Sequence, residues 1–453
     1  MSRRPVSRRT FLSASAAATS ALALGAYVNP APAKESKSPL ERVRIAGIGT
    51  TGKGGDDIKQ VATAGAEIVA LADVDENLLA KGASLYTDAR KYRDYRVMLE
   101  KEAEHIDAVT VGTPDHNHAP AAAMAMRLGK PVLCEKPLTH TVKEARVLAG
   151  LAKEKKLVTQ MGNQIHAGDN YRRVVELVQA GVIGSVKEVH VWATGAVPGG
   201  AKFKVGKPVP AGLDWDLWLG PAPQRPYSEV DWSGATSNRG EGIHPFNWRV
   251  FWDYGTGTFG DFGCHYMDLA HWALDLRAPS AVEASGAPYD PVSTDWCVAK
   301  YEYPARGKLP AVNLHWYDGG KRPQLLATLK GKDGQGFDWN GGQIFVGSQG
   351  LILSNYGEHF LFPQDKFADF KRPEPTIPTS IGHYKEWVEA VKTGGPTTCN
   401  FDYAGALTEA VLLGTVAYRS GKRIEWDAAS LKITNAPDAE KWLHKEYRKG
   451  WTL

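Results

Sequence analysis

Two groups of polar residues have the types and the spacing that proton transfer requires. The first is Glu135-Lys136-Pro137, which directly follows the short apolar run from Val132 to Cys134. The run predicts a buried parallel strand, and ligands of doubly wound sheets sit at the carboxyl ends of such strands. A lysine at that point, followed by a proline that restricts the backbone, is a candidate for chemistry. A surface Glu-Lys pair that merely ends a strand is the ordinary alternative.

The second group lies between Gly257 and Trp272. If the chain is helical from Asp261 onward, Asp261, His265 and Asp268 share one face, since they are four and three residues apart. A carboxylate one turn before a histidine can orient the imidazole, which suits removal of a proton from a substrate hydroxyl. A capped helix with a hydrogen-bonded histidine is the alternative. Three ligands without a clear fourth make a weak metal site, so we predict no metal.

A glycine-rich turn upstream of both groups predicts a dinucleotide site. It has the form G-x-G-x-x-G between a strand over residues 43–47 and a helix near residues 57–64. The first glycine allows the tight turn, the second lets the backbone approach a pyrophosphate, and the third lets helix and strand pack closely. The helix N-terminus then faces the anion. The cofactor-binding residues predicted here are Gly47, Gly49, Thr50, Thr51 and Gly52.

An acidic residue at the end of the next strand indicates which dinucleotide is bound. The strand over residues 67–72 ends in Asp73, 24 residues after Gly49. A carboxylate there can accept hydrogen bonds from the adenosine ribose and repels a 2′-phosphate, which favours NAD over NADP. Asp75 is a weaker candidate for the same task.

Strand and helix patterns alternate through residues 38–165, which predicts an α/β dinucleotide-binding (Rossmann) domain with a parallel sheet and right-handed crossovers. The loops after its strands should fall on one edge of the sheet, together with the glycine turn. That shared edge favours a functional Lys136. The further cofactor-binding residues predicted in these loops are Thr113, Pro114, His116, Glu135, Lys136 and Asn163.

Residues 166–453 predict a second α/β domain with a large, mostly antiparallel, open sheet for substrate binding and oligomerisation. Residues 197–253 form a long Trp-rich insertion that we predict to be irregular. Loops of this length are usually functional, and aromatic faces suit sugar rings, although most of these tryptophans should serve packing. The predicted substrate-binding residues are His244, Trp248, Arg249, Asp261 and His265, and the predicted catalytic residues are Lys136, Asp261 and His265.

The first 33 residues predict a twin-arginine export signal. Ser7-Arg8-Arg9-Thr10-Phe11-Leu12 is followed by a weakly apolar run and a small-residue cleavage site at Ala31-Pro32-Ala33. A basic amphipathic helix or a membrane anchor is the alternative. We expect a periplasmic or otherwise exported protein with no stable membrane span once the signal is removed.

Composition agrees with a globular enzyme of two or three domains. The 453 residues are 43% hydrophobic and 23% charged, and four cysteines show neither metal-ligand nor paired spacing. The formal charge of +4 equals the four arginines of the predicted signal, which holds no acidic residue, so the rest of the chain is formally neutral. Nothing therefore favours nucleic acid or an anionic membrane as a partner.

The glycine turn from Gly47 to Gly54, Glu135-Lys136-Pro137 and Asp261-x-x-x-His265 together resemble the Gfo/Idh/MocA family, which includes glucose–fructose oxidoreductase and inositol dehydrogenase. The resemblance covers essentially the whole chain after the signal. It implies that Lys136 lies beside the nicotinamide and the reacting hydroxyl, and that Asp261 and His265 complete the proton-transfer group. It also implies that the second domain covers the substrate and mediates a homo-oligomer. The Trp-rich insertion departs from simple dehydrogenases of the family and leaves the substrate open.

We therefore expect an exported oxidoreductase that transfers a hydride from a CH–OH group of a sugar, polyol or glycoside to tightly held NAD. Twin-arginine export carries folded proteins, and NAD released outside the cytoplasm would not be recycled. A redox-neutral reaction is thus an alternative, either between two sugars or in a NAD-dependent glycosidase that works by oxidation, elimination, water addition and reduction. A non-catalytic sugar-binding module is the second alternative, which the intact Lys136, Asp261 and His265 disfavour.

Overall fold

The computed structural model describes residues 42–195, 197, 199–235, 240–287 and 292–453. The predicted signal, residues 1–33, and the polar lead-in before residue 42 lie outside the described residues. The strands of the first domain are Arg44–Ile48 (β1), Glu67–Ala72 (β2), Arg90–Tyr92 (β3), Ala108–Val111 (β4), Val132–Glu135 (β5) and Thr159–Gly162 (β6). Its helices are Gly52–Thr63 (α1), Glu76–Ala83 (α2), Tyr95–Glu102 (α3), His118–Arg127 (α4) and Val142–Lys155 (α5).

The first domain is built on a six-stranded sheet with the order β3-β2-β1-β4-β5-β6, in which every neighbouring pair is parallel. β4, β5 and β6 are buried along their whole length. This is expected where helices cover both faces of a parallel sheet. The order reverses next to β1, so the crevice at the carboxyl ends of β1 and β4 is where a dinucleotide is expected.

The loop after β5 is fixed by the helix that follows it. Thr141 caps α5 through a capping box: its side chain accepts from the backbone N–H of Glu144, and the Glu144 carboxylate accepts from the backbone N–H of Thr141 at 2.8 Å. Reciprocal bonds of this kind satisfy donors that a helix start leaves open. The Glu-Lys-Pro turn is therefore held between a buried strand and a capped helix.

The second domain holds the remaining elements. Its strands are Val186–Ala193 (β7), Lys202–Val205 (β8), Ser228–Asp231 (β9), Ala281–Gly286 (β10), Cys297–Tyr303 (β11), Val312–Asp318 (β12), Gly341–Gly347 (β13), Leu351–Ser354 (β14), His359–Phe362 (β15), Ile424–Asp427 (β16) and Lys432–Ile433 (β17). Its helices are Asp169–Gln179 (α6), Trp215–Leu219 (α7), Gly257–Tyr266 (α8), Asp268–Ala273 (α9), Gln324–Thr328 (α10), His383–Thr393 (α11) and Phe401–Ser420 (α12). None of the described helices is both long and apolar enough to cross a bilayer.

A nine-stranded sheet organises this domain in the order β15-β14-β13-β7-β12-β11-β10-β16-β17. Among the described strand pairs of this sheet, only that of β7 with β12 is parallel, which confirms the predicted mostly antiparallel sheet. Alternate residues face opposite sides. Leu314 and Trp316 of β12 point into the main core beneath the helices, whereas Tyr317 contributes to a smaller cluster on the opposite face.

The Trp-rich insertion is more ordered than predicted. It contains the antiparallel pair β8 and β9 and the short helix α7, which the irregular composition did not indicate. Trp215, Trp218 and Trp232 are buried in a separate apolar cluster. The expected packing role of most of these tryptophans is therefore confirmed, and the insertion forms a small core of its own.

The C-terminal segment after β17 returns to the first domain. Lys445 Nζ donates to the carbonyl oxygen of His116 at 2.9 Å and lies 3.1 Å from Glu144 Oε1. Tyr447 donates its hydroxyl to the same carboxylate at 2.6 Å, and Trp451 packs against Tyr95. These contacts join the end of the chain to the elements that frame the loop after β5.

Several buried histidines link stability to pH. Burial lowers the pKa of His271 to about 3 and that of His383 to about 3. A histidine with a lowered folded pKa binds fewer protons when folded than when unfolded between that value and its ordinary pKa of about 6.5. Its contribution to stability is therefore complete above about pH 6.5 and is lost as the pH falls below it.

His271 offers a single-site test, because its Nε2 contacts only the hydroxyl of Tyr303, at 2.9 Å, among the described side chains. We expect His271→Phe to lower the free energy of unfolding by an amount that shrinks from pH 6.5 to pH 5. The pH slope should flatten by about 1.4 kcal/mol per pH unit, the value of one proton. Urea unfolding of both proteins at several pH values measures this slope. Parallel curves would contradict a neutral, buried His271.

Candidate active site

A cavity of about 530 Å³ connects the glycine turn of the first domain with α8 of the second. Its volume is in the range of small-molecule and cofactor sites. Both predicted polar groups reach it, from the loop after β5 and from α8. The predicted residues that line it are Gly49, Thr51, Gly52, Asp73, Thr113, Pro114, Glu135, Lys136, His244, Trp248, Arg249, Asp261 and His265.

The glycine turn has the geometry of a phosphate cradle. Gly49 has a φ of +85°, and a Cβ there would lie 2.6 Å from the carbonyl oxygen of Gly112. Gly52 has a φ of +56°, and a Cβ there would meet no described atom within 4 Å, since the residue borders the cavity. Thr51 caps α1 without a side-chain hydrogen bond, so N–H groups of the first turn remain for a ligand. The residues present therefore fit a diphosphate.

Two of the glycine assignments require correction. Close packing of helix on strand, predicted for Gly52, belongs to Gly54, where a Cβ would lie 2.5 Å from the carbonyl oxygen of Gly49. Gly47 also serves packing, since a Cβ there would clash with the side chain of Ile58, and it does not border the cavity. Helix α1 begins at Gly52, five residues before the predicted start, which brings Gly52 and Gly54 inside its first turn.

Asp73 lies on the cavity wall and is held by Thr50. Its Oδ2 accepts from the backbone N–H of Thr50 at 2.9 Å, and its Oδ1 accepts from the backbone N–H of Asp75 at 3.1 Å. The Thr50 hydroxyl lies 3.0 Å from both Asp73 Oδ2 and the carbonyl oxygen of Leu78. Thr50 is itself buried and does not border the cavity, so its predicted cofactor contact is replaced by orientation of Asp73. The position of Asp73 at the end of β2 fits a ribose.

Lys136 and Asp261 form an ion pair between the two domains. The ammonium group donates to Asp261 Oδ1 at 2.8 Å and to the carbonyl oxygen of the same residue at 2.6 Å. An ammonium group has three donors, so one remains, among the described contacts, for a ligand in the cavity that both residues line. The lysine predicted from the sequence therefore has a fixed partner and a donor that faces the site.

The ion pair holds both groups in their charged forms. Burial opposes the charge of Lys136, yet the Asp261 carboxylate raises the pKa of this lysine above its ordinary value. Burial likewise opposes the charge of Asp261, but Lys136 and then Arg249 lower the pKa of this carboxyl. Lys136 is consequently an ammonium group at neutral pH and acts as a donor.

Asn163, and not Asp261, orients His265. Asn163 Oδ1 lies 2.6 Å from His265 Nδ1, and Asn163 Nδ2 donates to the carbonyl oxygen of Cys264 at 3.0 Å. Since a carbonyl can only accept, the amide oxygen must face the imidazole, and Nδ1 must carry the proton. The lone pair of the neutral ring is then on Nε2, and the His265 side chain borders the cavity. Asn163 is buried and does not line the cavity, so its predicted cofactor contact is corrected to this indirect role.

His265 is a neutral base in the folded protein. Burial, followed by the nearby charge of Lys136, lowers the pKa of His265 to about 3. The imidazole is therefore unprotonated at neutral pH. The arrangement pairs a charged donor, Lys136, with an uncharged acceptor, His265, at one end of the cavity.

The predicted common face of Asp261, His265 and Asp268 is wrong. α8 ends at Tyr266 and α9 begins at Asp268, so the helix is interrupted between the second and third residue. The Asp268 carboxylate accepts from the Tyr403 hydroxyl at 2.6 Å and lies 3.0 Å from His166 Nδ1, with both side chains fully buried. It therefore belongs to the core beneath the site.

His116 does not line the cavity, contrary to the prediction. Its Nε2 lies 3.0 Å from the carbonyl oxygen of Trp218 and its Nδ1 lies 3.3 Å from that of Tyr254. The turn after Pro114 thus directs the ring between two segments of the second domain. Burial, followed by the charge of Lys445, lowers the pKa of His116 to about 3. The residue positions the insertion against the first domain.

Sequence reasoning missed a polar cluster at the glycine-turn end of the cavity. Lys53 Nζ donates to Asp57 Oδ1 and to the Tyr384 hydroxyl, both at 2.6 Å, and lies 3.5 Å from Glu135 Oε1. Gln164 donates to Glu135 Oε1 at 3.0 Å and borders the cavity. Lys53 follows Gly52 directly, so its position in the glycine turn is the sequence feature that could have identified it as a site residue. Tyr384 comes from α11, and nothing in its local sequence indicates this contact.

An aromatic wall continues from the ion pair along the cavity. The Arg249 guanidinium lies 4.2 Å from the ring centre of Trp248 and 4.3 Å from that of Phe246, and its Nε is 3.7 Å from Asp261 Oδ1. Trp218 completes this wall. The predicted Trp248 and Arg249 are thus brought beside Asp261 and His265. Flat faces with a few fixed polar groups suit a carbohydrate ring.

Comparison with known proteins agrees with this architecture. The model of the GFO_IDH_MocA oxidoreductase family, NAD-binding Rossmann fold, matches residues 42–163, and that of its C-terminal alpha/beta domain matches residues 169–453. Inositol 2-dehydrogenase 1 of Saccharopolyspora erythraea is 35% identical over 152 residues, which cover 33% of this chain and 44% of that protein. The chain therefore spans less than half the length of the curated relatives of this kind that it matches.

Solved structures share the fold across most of the chain. GenD2 from gentamicin A biosynthesis, in complex with NAD, is 21% identical with a TM-score of 0.56 and covers 87% of this chain and 99% of its own. The aldose-aldose oxidoreductase of Caulobacter crescentus, complexed with glycerol, is 16% identical with a TM-score of 0.52 and covers 85% and 99%. With a family model matched over both domains, the chain belongs to the Gfo/Idh/MocA family of oxidoreductases, and its first domain is an NAD-binding Rossmann domain.

Proposed function

We propose that this protein oxidises a CH–OH group of a sugar, polyol or glycoside with tightly held NAD. The observation that carries the proposal is the meeting of Lys136, Asp261 and His265 at a cavity that begins at the glycine turn. A protonated donor and a neutral acceptor on one cavity wall are what removal of a hydroxyl proton requires. The inositol 2-dehydrogenase that the chain resembles in part is named for a polyol, which agrees with this class.

The proposed roles follow from the protonation states. His265 Nε2 takes the proton of the substrate hydroxyl, because Asn163 keeps Nδ1 protonated. The remaining N–H of Lys136 donates to the substrate oxygen and stabilises the negative charge that develops on it. Asp261 keeps the lysine charged. Bound NAD supplies the acceptor for the hydride that leaves the substrate carbon.

A redox-neutral reaction is the second candidate. The aromatic wall supports this candidate in so far as it suits a glycoside as substrate. The same residues would then remove the hydroxyl proton, and Lys136 would hold the ring ketone, which acidifies the neighbouring C–H. The proton of that C–H and the aglycone leave together as the alcohol, and water adds a proton and a hydroxyl group across the double bond that results. His265 would return the proton when the hydride comes back, which suits an imidazole that holds a proton weakly. A structural neighbour is named an aldose-aldose oxidoreductase, so exchange between two sugars belongs to the same candidate.

Export and assembly are further parts of the proposal. The twin-arginine motif at Ser7 to Leu12 supports export to the periplasm or beyond.

We propose a homo-oligomer that buries the outer face of the nine-stranded sheet, where Tyr317, Val346, Leu351 and Phe360 are only partly covered. Replacing Val346 and Leu351 by lysine should convert the oligomer to a smaller species in light scattering. An unchanged mass would contradict assembly through this face.

Replacement of Lys136 tests the proposed chemistry. We expect Lys136→Met to lower turnover by about 10²- to 10³-fold, because the donor to the reacting oxygen is lost, while NAD affinity stays nearly unchanged. Steady-state kinetics and NAD titration measure the two effects. Lys143→Met, on the exposed side of α5, is the matched control and should keep full activity. Full activity of Lys136→Met would make the assignment wrong.

Replacement of Asn163 tests the role of His265. A carboxylate in Asn163→Asp should raise the pKa of His265, since it favours the imidazolium form. The base must be neutral, so kcat/KM of the variant should fall as the pH drops from 7 to 5. In the parent, whose His265 has a pKa of about 3, kcat/KM should stay nearly level over the same range. Coincident pH profiles would exclude His265 as the titrating base.

A screen of glycosides and free sugars separates the candidate reactions. NADH absorbance without aglycone release indicates a dehydrogenase, and aglycone release without net absorbance indicates the redox-neutral glycosidase. Native mass spectrometry of the mature protein should find NAD bound after purification. Protein purified without NAD, to which NAD binds and exchanges freely, counts against both redox-neutral reactions, the exchange between two sugars and the glycosidase. Saturable sugar binding with neither signal would instead indicate a non-catalytic sugar-binding module.

A further inference from the structure

The described part of the insertion from residue 211 to 253, here called the cover segment, is fastened to the end of β2. The backbone N–H of Asp214 donates to the carbonyl oxygen of Val74 at 2.9 Å, and that of Glu76 donates to the carbonyl oxygen of Gly212 at 3.0 Å. Arg93 donates to Gly212 as well, at 2.9 Å. Since β2 ends at the proposed ribose position, the cover segment lies at the adenosine end of the NAD site.

His244 of the cover segment borders the cavity at this same end. Its Nε2 lies 3.3 Å from Asp75 Oδ2, and the negative charge of Asp73 is close enough to favour the protonated form of the His244 ring. The sequence predicts that His244 contacts the substrate. Its neighbours are instead the acidic residues that follow β2.

The protonation of His244 is fixed by Trp218. The indole N–H of Trp218 donates to His244 Nδ1 at 3.0 Å, so Nδ1 carries the lone pair and the proton of the neutral ring is on Nε2. Burial lowers the pKa of His244, which keeps the ring neutral at pH 7. Nε2 is buried, and although Asp75 Oδ2 lies 3.3 Å away, the Nε2–H is not aligned with this or any other described acceptor for a hydrogen bond. A buried donor without an acceptor is costly, so a ligand that supplies one is favoured.

Asp73 is already engaged by neighbouring donors. Its oxygens accept from the backbone N–H groups of Thr50 and Asp75, and the Thr50 hydroxyl lies 3.0 Å from both Asp73 Oδ2 and the carbonyl oxygen of Leu78. A carboxylate has about four acceptor positions, so a second polar partner is favoured beside the two neighbouring ribose hydroxyls. The Nε2–H of His244 lies at this end of the cavity.

We propose that His244 is a cofactor-binding residue whose Nε2–H donates to a hydroxyl of the adenosine ribose, so that the cover segment retains NAD in the cavity. The inference rests on the proposed function only in requiring that the cavity binds NAD. His244, Pro245 and Phe246 then close over the ribose, while Trp248 and Arg249 remain on the substrate side.

The experiment compares whole and truncated cofactors on the full chain. We expect His244→Leu to weaken binding of NAD and of ADP-ribose about tenfold, the value of one lost hydrogen bond, and to speed the exchange of bound radiolabelled NAD. Binding of nicotinamide mononucleotide, which lacks the adenosine half, should not change. His244→Gln, which keeps an N–H near the Nε2 position, should restore most of the affinity.

Trp218→Phe is a second variant that tests the same hydrogen bond without replacing His244, in case His244→Leu fails to fold. It retains an aromatic ring but removes the donor that fixes the His244 proton, so it should weaken ADP-ribose binding in the same direction. Parent-like ADP-ribose affinity in His244→Leu, or an equal loss for ADP-ribose and nicotinamide mononucleotide, would overturn the inference. A parent protein that binds neither NAD nor ADP-ribose would overturn the proposed function together with it.

Discussion

The ion pair between Lys136 and Asp261 is the interaction on which the site depends. It joins the loop after the fifth strand of the first domain to a helix of the second, over 2.8 Å, and both groups are largely buried. Removing one partner of such a pair leaves a buried charge without compensation, which is strongly destabilising. The pair therefore aligns the two domains and keeps Lys136 charged. Burial lowers the pKa of His265 and the same positive charge lowers it further, so the ion pair contributes to the protonation states of both Lys136 and His265.

The two ends of the cavity are built by different parts of the chain. At the substrate end, Asp261, His265 and the Trp248–Arg249 wall come from the second domain. At the adenosine end, an insertion that is hydrogen-bonded to β2 brings His244 to the acidic residues that follow this strand. The C-terminal segment and His116 brace the insertion and the loop after β5. The cavity thus extends from the glycine turn of the first domain to α8 of the second.

The sequence predicted the parts that depend on local pattern. The parallel sheet, the glycine turn and Lys136 at a strand end follow from alternating elements and from glycine spacing, and the structure agrees with each. The pairing of Asn163 with His265 could not be found, because 102 residues separate them and either residue has several possible partners. His116 looked like a loop residue of the site, yet carbonyl groups 102 and 138 residues away determine where its ring points.

Transfer of deuterium from a sugar carbon to the bound NAD is the most direct test of the proposed hydride transfer. The protein, with its NAD bound, is mixed with a sugar deuterated at its ring carbons and denatured after a single exposure, and the released cofactor is analysed by mass spectrometry. Deuterium is expected in the cofactor, because the carbon-bound hydrogen leaves as hydride while His265 takes the hydroxyl proton. Saturable sugar binding with no deuterium in the cofactor, whichever ring carbon is labelled, would contradict it.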